Sequence, residues 1–208
     1  EQVSSLAKSL GMSGDIRETN EAFYLSDKDA EQFLFVVEKK SSMITFRKND
    51  IGSSTIQSDA QIISAANTFL QKNNLIPPGK LEPRAVHNTA VIYSRSGQRV
   101  GERKINVVVY PQIINELPVF NAQFNVEVGS DGNIIGLFKN WRDYKPAEMI
   151  TLKSPEEAFG ELKTHQPKSK TIIPKKVKVT GVSLGYFMHS SSDGEEEYLL
   201  PAYIFEGD

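Results

Sequence analysis

Three histidines, a run of carboxylates and a serine triplet are the residues of this chain whose types could do chemistry. The histidines are His87, His165 and His189. No two stand four apart on a helix and no H-E-x-x-H occurs, so the spacing that seats zinc on one helix face is missing. Imidazoles gathered from separate elements could still ligate a metal. The simpler reading puts His87 and His189 on strand surfaces and His165 in a loop. Ser190, Ser191 and Ser192 adjoin His189 and set a nucleophile beside a base. They run into Asp193-Gly194, a turn pair, and a hairpin tip is a poor place for an oxyanion hole or a dry pocket. Asp193 and Glu195 to Glu197 add carboxylates at the same tip. Acid–base work needs one of a pair raised in pKa by burial, and calcium needs oxygens spaced as in an EF-hand loop. This tip has neither, and Asp131-Gly132-Asn133 fails the same test. No G-x-S-x-G, P-loop or G-x-G-x-x-G is found. With no cysteine, disulfides, thiolate metal sites, iron–sulfur clusters and thiol nucleophiles are excluded. The chain reads as a non-enzyme that needs no cofactor and no metal.

The remaining candidates are surfaces. Lys163, Lys168, Lys170, Lys175, Lys176 and Lys178 form a basic stretch with no aromatic on which a base could stack. Net charge is -2, so there is no bulk field for nucleic acid. The stretch reads as a solvated loop; its functional alternative is contact with a membrane or an acidic partner. Trp141, Arg142, Asp143 and Tyr144 cluster after a strand. They either close a core under the following helix or anchor a partner. The candidate partner contacts are Trp141, Arg142 and Tyr144, with Tyr198, Tyr203 and Phe205 on the last strand, whose edge could accept an added strand.

Hydrophobic spacing shows the elements that must hold these groups. Val3, Leu6, Ala7 and Leu10 stand at helical spacing, with Gly11 placed to end the helix. Strands are predicted at 22–25, 33–37 and 43–46, the last returning across Lys39-Lys40-Ser41-Ser42. Residues 33–37 are continuously apolar, as for a strand covered on both faces. Asn49 to Thr55 is a polar break. Ser58 and Gln61 form a capping box before one apolar stripe, Ile62, Ala65, Ala66, Phe69 and Leu70. Asn73 and Asn74 fray its end, and Pro77-Pro78-Gly79 stops it. Four strands are predicted next, at 85–93, 104–110, 119–128 and 133–141. In the third, Phe120, Ala122, Phe124, Val126 and Val128 alternate with Asn121, Gln123, Asn125 and Glu127, an apolar face and a wet one. Asp131-Gly132 supplies the two positive-φ residues of a primed hairpin turn. Pro111 and Pro118 keep their positions out of a central ladder. Ser154, Pro155 and Glu157 open a third helix whose Ala158, Phe159 and Leu162 face inward. Two long strands end the chain. A phase change at Thr180-Gly181 predicts a β-bulge, and Pro201 puts the final strand on an edge or at a bulge.

A helix followed by antiparallel strands thus occurs three times in 208 residues. The chain is α+β, with an N-terminal α-β-β-β unit at 1–57 and a C-terminal region at 58–208, itself divided into 58–150 and 151–208. Each copy is too small to stand alone, so the copies share sheets or cores. No apolar run approaches the roughly 18–20 residues that span a bilayer. The chain opens at Glu1 rather than Met, and a signal peptide or anchor removed ahead of it is expected.

The central strands carry a family likeness. Ile114-Asn115-Glu116-Leu117-Pro118-Val119-Phe120-Asn121, then Asn125 to Val128 and Asp131 to Ile135, resembles the propeptides of thermolysin-like metalloproteases. Ser154 to Ala158, Val182 to Tyr186 and Leu200 to Phe205 resemble the PepSY domain that follows in those propeptides. The layout is also similar to the extracytoplasmic parts of YycH/YycI-type sensor-kinase regulators. The likeness covers about residues 59–205. Glu116 departs from it, standing where the family has glycine, and no protease domain follows in these residues. The resemblance implies tandem units of one helix packed on an antiparallel sheet, PepSY- or cystatin-like. It also implies a non-catalytic, extracytoplasmic domain of the cell envelope that binds another protein, inhibiting a peptidase or regulating a membrane-bound sensor. The alternative is a small-molecule or lipid binder that uses a curved sheet roofed by a helix.

Overall fold

A computed structural model describes residues 2–12, 14–26, 33–48, 57–76, 81–94, 96–164, 178–188 and 198–207. Helix α1 (Gln2–Ser9) ends as its glycine requires. Gly11, at φ +76, donates to the Lys8 carbonyl at 3.0 Å, and Met12 donates to the Ala7 carbonyl at 3.0 Å. This is a Schellman closure, with Ala7 and Met12 buried beside it. Four antiparallel strands follow: β1 (Arg17–Glu18), β2 (Ala22–Ser26), β3 (Phe33–Glu38) and β4 (Ile44–Lys48). In β3 the expectation of two covered faces is corrected. Phe35 is fully buried but its neighbour Leu34 is 50% exposed, because cover lies on one side only.

Helix α2 (Asp59–Lys72) carries both halves of its capping box. Ile62, Ala66 and Leu70 are buried along one stripe. Its end is closed rather than frayed. Asn74 takes φ 53 and donates to the Gln71 carbonyl at 3.2 Å, while Leu75 donates to the Leu70 carbonyl at 2.9 Å. Asparagine here does the left-handed work usual for glycine. The residues expected to stop the helix, Pro77 to Gly79, lie outside the described residues.

The remaining elements are β5 (Arg84–Tyr93), β6 (Arg99–Val109), β7 (Ile113–Ile114), β8 (Leu117–Phe120), β9 (Gln123–Val128), β10 (Ile134–Asn140), α3 (Pro155–Thr164), β11 (Val179–Phe187) and β12 (Leu200–Gly207). They form two sheets, one of eight strands in the order β1-β2-β3-β4-β10-β9-β6-β5 and one of four in the order β12-β11-β8-β7. The chain divides into two compact units, and these do not follow the segments 1–57, 58–150 and 151–208. One draws chiefly on Glu1–Gln112 and Ala122–Arg142; the other draws on Ile113–Asn121, Asp143–Ser191 and Glu195–Asp208. The first 48 residues share the large sheet through the β4–β10 ladder, Phe46 opposite Leu137.

The strand expected at 119–128 is two strands in different sheets. Asn121, at φ 68, turns the chain between them. Its side chain donates to the Met188 carbonyl at 2.8 Å, which holds the corner. The expected primed turn at Asp131-Gly132 is also corrected, since only Gly132 has positive φ, at 82. Gly132 donates to the Gly129 carbonyl at 3.0 Å and Gly129 to the Asn133 carbonyl at 2.8 Å, a type I turn closed by a left-handed glycine. Asp131 Oδ1 accepts the Asn133 N–H at 3.0 Å, an Asx turn that suits right-handed φ. The primed turn stands instead at Asn115 and Glu116, with φ of 49 and 65.

In the smaller unit β8 pairs with β11 in parallel, Tyr186 opposite Val119, so that sheet is mixed rather than antiparallel. Pro118 sits inside β8, which has a neighbour on each side; this corrects the expectation that it avoids a central ladder. The β11 pairing begins only at Val119, and so asks nothing of the missing proline N–H. The bulge at Gly181 is present, as is an edge position for Pro201 in β12. The capping box of α3 forms, with the Ser154 N–H donating to Glu157 at 2.8 Å. Phe159 stacks on Phe205 with ring centroids 5.4 Å apart. Leu162, expected inward, is exposed.

Candidate functional site

The two faces of the eight-stranded sheet differ in cover. On the face that meets α2, Phe124, Val126 and Val128 pack with Ile62, Ala66 and Leu70. Tyr110 fills the space beside them and donates its hydroxyl to Asn67 Oδ1 at 2.8 Å; burial pushes its pKa upward. The side under the helix is filled by these side chains.

The opposite face is open and holds a hollow of about 380 Å³. Strand register shows how it is built. One row across the sheet runs Arg47, Gly136, Glu127, Val107, Val86. The next runs Thr45, Phe138, Asn125, Val109, Arg84. All except Gly136 and Arg84 line the hollow. Alternation along β9 sends Asn125 and Glu127 to this face and Phe124, Val126 and Val128 to the core. The wet face of β9 is thus its floor.

Glu127 lies across Gly136. A Cβ on that glycine would stand 2.9 Å from the Glu127 carboxylate carbon and from its Oε2, so a larger residue there would push the Glu127 side chain aside. Packed in this way, Glu127 Oε2 is shielded from water and has no hydrogen-bond partner among the described residues; the same holds for Asn125 Oδ1. Shielded acceptors left unpaired cost free energy.

A second polar cluster lies at the start of α2. His87 Nδ1 stands 2.9 Å from Asn106 Oδ1 and Nε2 stands 2.9 Å from Asp59 Oδ1. Both partners are acceptors, which suits an imidazolium. The Asp59 hydrogen bond, then that of Asn106, holds the His87 pKa above its usual value. The His87 ring bridges β5, β6 and the first residue of the helix. Sequence spacing offers no signal for this cluster, since 28 residues separate His87 from Asp59.

The six candidate contacts are divided between the two units. Trp141 is 8% exposed and meets Phe124 edge-on at 6.1 Å, inside the core. Arg142 belongs with it in the larger unit, its carbonyl accepting from Gln112 at 2.6 Å. Tyr144, Tyr198, Tyr203 and Phe205 fall in the smaller unit. There Tyr203 donates to the Lys153 carbonyl at 3.0 Å and Phe205 packs on Phe159, while Tyr198 is 60% exposed. His165, His189, Ser190 to Ser192, Asp193, Glu195 to Glu197 and Lys168 to Lys176 lie outside the described residues. Among the described residues no cluster of His, Asp and Glu could hold a metal, and no helix is long and apolar enough to cross a membrane.

Residues 104–140, from β6 to β10, match the Fungalysin/Thermolysin Propeptide Motif family. No curated protein matches the chain. Among solved structures, the Bacillus megaterium YpeB C-terminal domain is similar at 13% identity and a TM-score of 0.40, over all of this chain and 85% of that one. The segment that builds most of the hollow is therefore similar to a propeptide motif of the fungalysin and thermolysin kind.

Proposed function

We propose that this chain is a non-catalytic protein-binding domain of propeptide type, acting outside the cytoplasm in the cell envelope. The observation that carries this reading is the motif match at 104–140, which falls on the strands that floor the open sheet face. A peptidase is the partner class that a propeptide motif suggests. A membrane-bound sensor is the class suggested by the likeness to YycH/YycI-type regulators. Partner contact is assigned to the hollowed face of the large sheet and to the β12 edge, with Tyr198 exposed just ahead of that strand. In this scheme each sheet with its helix serves as one PepSY-like unit. The test is titration of the purified chain into a thermolysin-type metallopeptidase. Saturable inhibition or complex formation supports the reading. Absence of both, together with no complex with a sensor ectodomain from the same envelope, overturns it.

A further inference from the structure

We infer that the free end of the β5–β6 ribbon is a membrane-docking tip, which seats Tyr93 and Val100 in the headgroup layer of a bilayer that carries anionic lipid. The inference goes beyond the protein-binding reading and stands or falls without it.

The ribbon runs on past the strand beside it. β6 pairs with β9 only from Asn106 to Val109, so residues 99–105 pair with β5 alone, and β5 ends the sheet. The tip is built to a fixed shape. The Ser94 N–H donates to the Gln98 carbonyl at 2.8 Å and the Gly97 N–H to the Ser94 carbonyl at 2.9 Å, with Gly97 at φ 81. The ladder register slips beside this turn. Ile92 faces Gly101 and Tyr93 faces Arg99, which leaves Val100 as the extra residue of a bulge. Tyr93 and Val100 are each 62% exposed, and Val91 is exposed behind them.

Charge sets this ribbon apart. Beyond the sheet its strands hold Arg99, Arg103 and Lys104 against one acid, Glu102, and the sequence between the strands adds Arg95, in a chain of net charge -2. Arg99 is ion-paired with Glu102. Such an exposed pair holds little, so a lipid phosphate can take the place of the carboxylate. Each basic residue near an anionic leaflet adds to the attraction. A tyrosine, with an apolar ring and a polar hydroxyl, suits headgroup depth. The shape of the tip selects among anionic partners. A convex hairpin gives a small anion or an acidic peptide no groove, and neither would use the apolar side chains. A bilayer surface uses both, its phosphates meeting the cations while Tyr93 and Val100 enter the interface.

The test uses the full chain and vesicles of phosphatidylcholine, alone or in equal parts with phosphatidylglycerol. Binding is measured by co-sedimentation. The chain has no cysteine, so Val100→Cys takes a single environment-sensitive fluorophore at the tip. Mixed vesicles should sediment the chain and shift the label's emission to the blue, and phosphatidylcholine alone should do neither. Salt at about 1 M, where the Debye length is roughly 3 Å, should release the chain. Replacing Arg99 and Arg103 together by glutamine should weaken binding about tenfold or more. Tyr93→Ser should weaken it as well, and Glu102→Gln should tighten it. Lys72→Gln removes one positive charge from the last turn of α2 and should bind as wild type. Circular dichroism melts show whether each variant is folded, and Tyr93→Ser, at an exposed site, decides the matter if the double variant is not. Equal binding to both kinds of vesicle overturns the inference. So does sedimentation with no change in the tip label, or a Lys72→Gln loss as large as that of the arginine pair. Binding to soluble polyaspartate with none to vesicles overturns it in favour of an acidic protein, and no binding to either overturns it outright.

Discussion

His87 is placed to report pH. Its two ring nitrogens face two acceptors, Asp59 and Asn106, and its folded pKa is raised above 6.5. A raised histidine pKa stabilises the fold fully below the unfolded value, and that contribution is lost as pH rises through the folded one. The side chains are 29% and 72% exposed, so solvent screening holds the effect to under about 1 kcal/mol. Melting temperature should therefore decline between pH 6 and pH 8 (roughly that window), and His87→Gln should flatten the decline. An unchanged slope would remove the assignment. Glu116 carries a different cost, holding φ 65, a left-handed conformation that glycine adopts without strain. Glu116→Gly should raise stability by about 1 kcal/mol, read from chemical denaturation. At this scale the sequence was legible where the partner is near. The capping boxes of Ser58 and Ser154 needed only residues three positions away. His87 and Glu127 were not legible, because their neighbours come from strands joined by register rather than by spacing.

Most elements follow their hydrophobic periods, and two departures turn on residues that adopt more than one backbone conformation. Period two runs through 120–128 without interruption, yet Asn121 sends its two ends to different sheets. An asparagine that tolerates left-handed φ does not disturb the alternation around it. The β9–β10 turn is ambiguous in sequence for a related reason. Asp-Gly suits both a primed pair and a type I turn closed by glycine, and the Asp131 side chain selects the second. Two element-scale outcomes follow. Ser58→Ala should destabilise the fold by about 1 kcal/mol through the start of α2. Gly185→Ala should cost more, on the order of 1–3 kcal/mol. Its Cβ would stand 2.5 Å from the Pro118 carbonyl oxygen and against the Phe120 ring, so the parallel β8–β11 contact must open. If the alanine variant melts as wild type, the close approach of these strands is wrong.

At the scale of the whole molecule the two units differ in their cores. The larger has a continuous cluster from Ala7 to Trp141. In the smaller, Val119 and Met188 are the buried apolar residues among those described, and α3 buries none fully. Small cores are marginal, so amides of β11 and β12 should exchange with deuterium well before those of β9 and β10. Equal protection would contradict this. The helix–strand order was readable along the chain, but the pairing of β4 with β10 was not, since each had a closer strand with which to pair. That pairing bears on how the chain is made. When Ile44–Lys48 leaves the ribosome, its partner Ile134–Asn140 is still unsynthesised, and the early meander carries a bare strand edge through that interval. A fragment ending at Gln112 should therefore scatter light and self-associate, whereas one ending at Arg142 holds the missing strand and should not. Birth order makes β10 the element that closes the N-terminal half against its own copies.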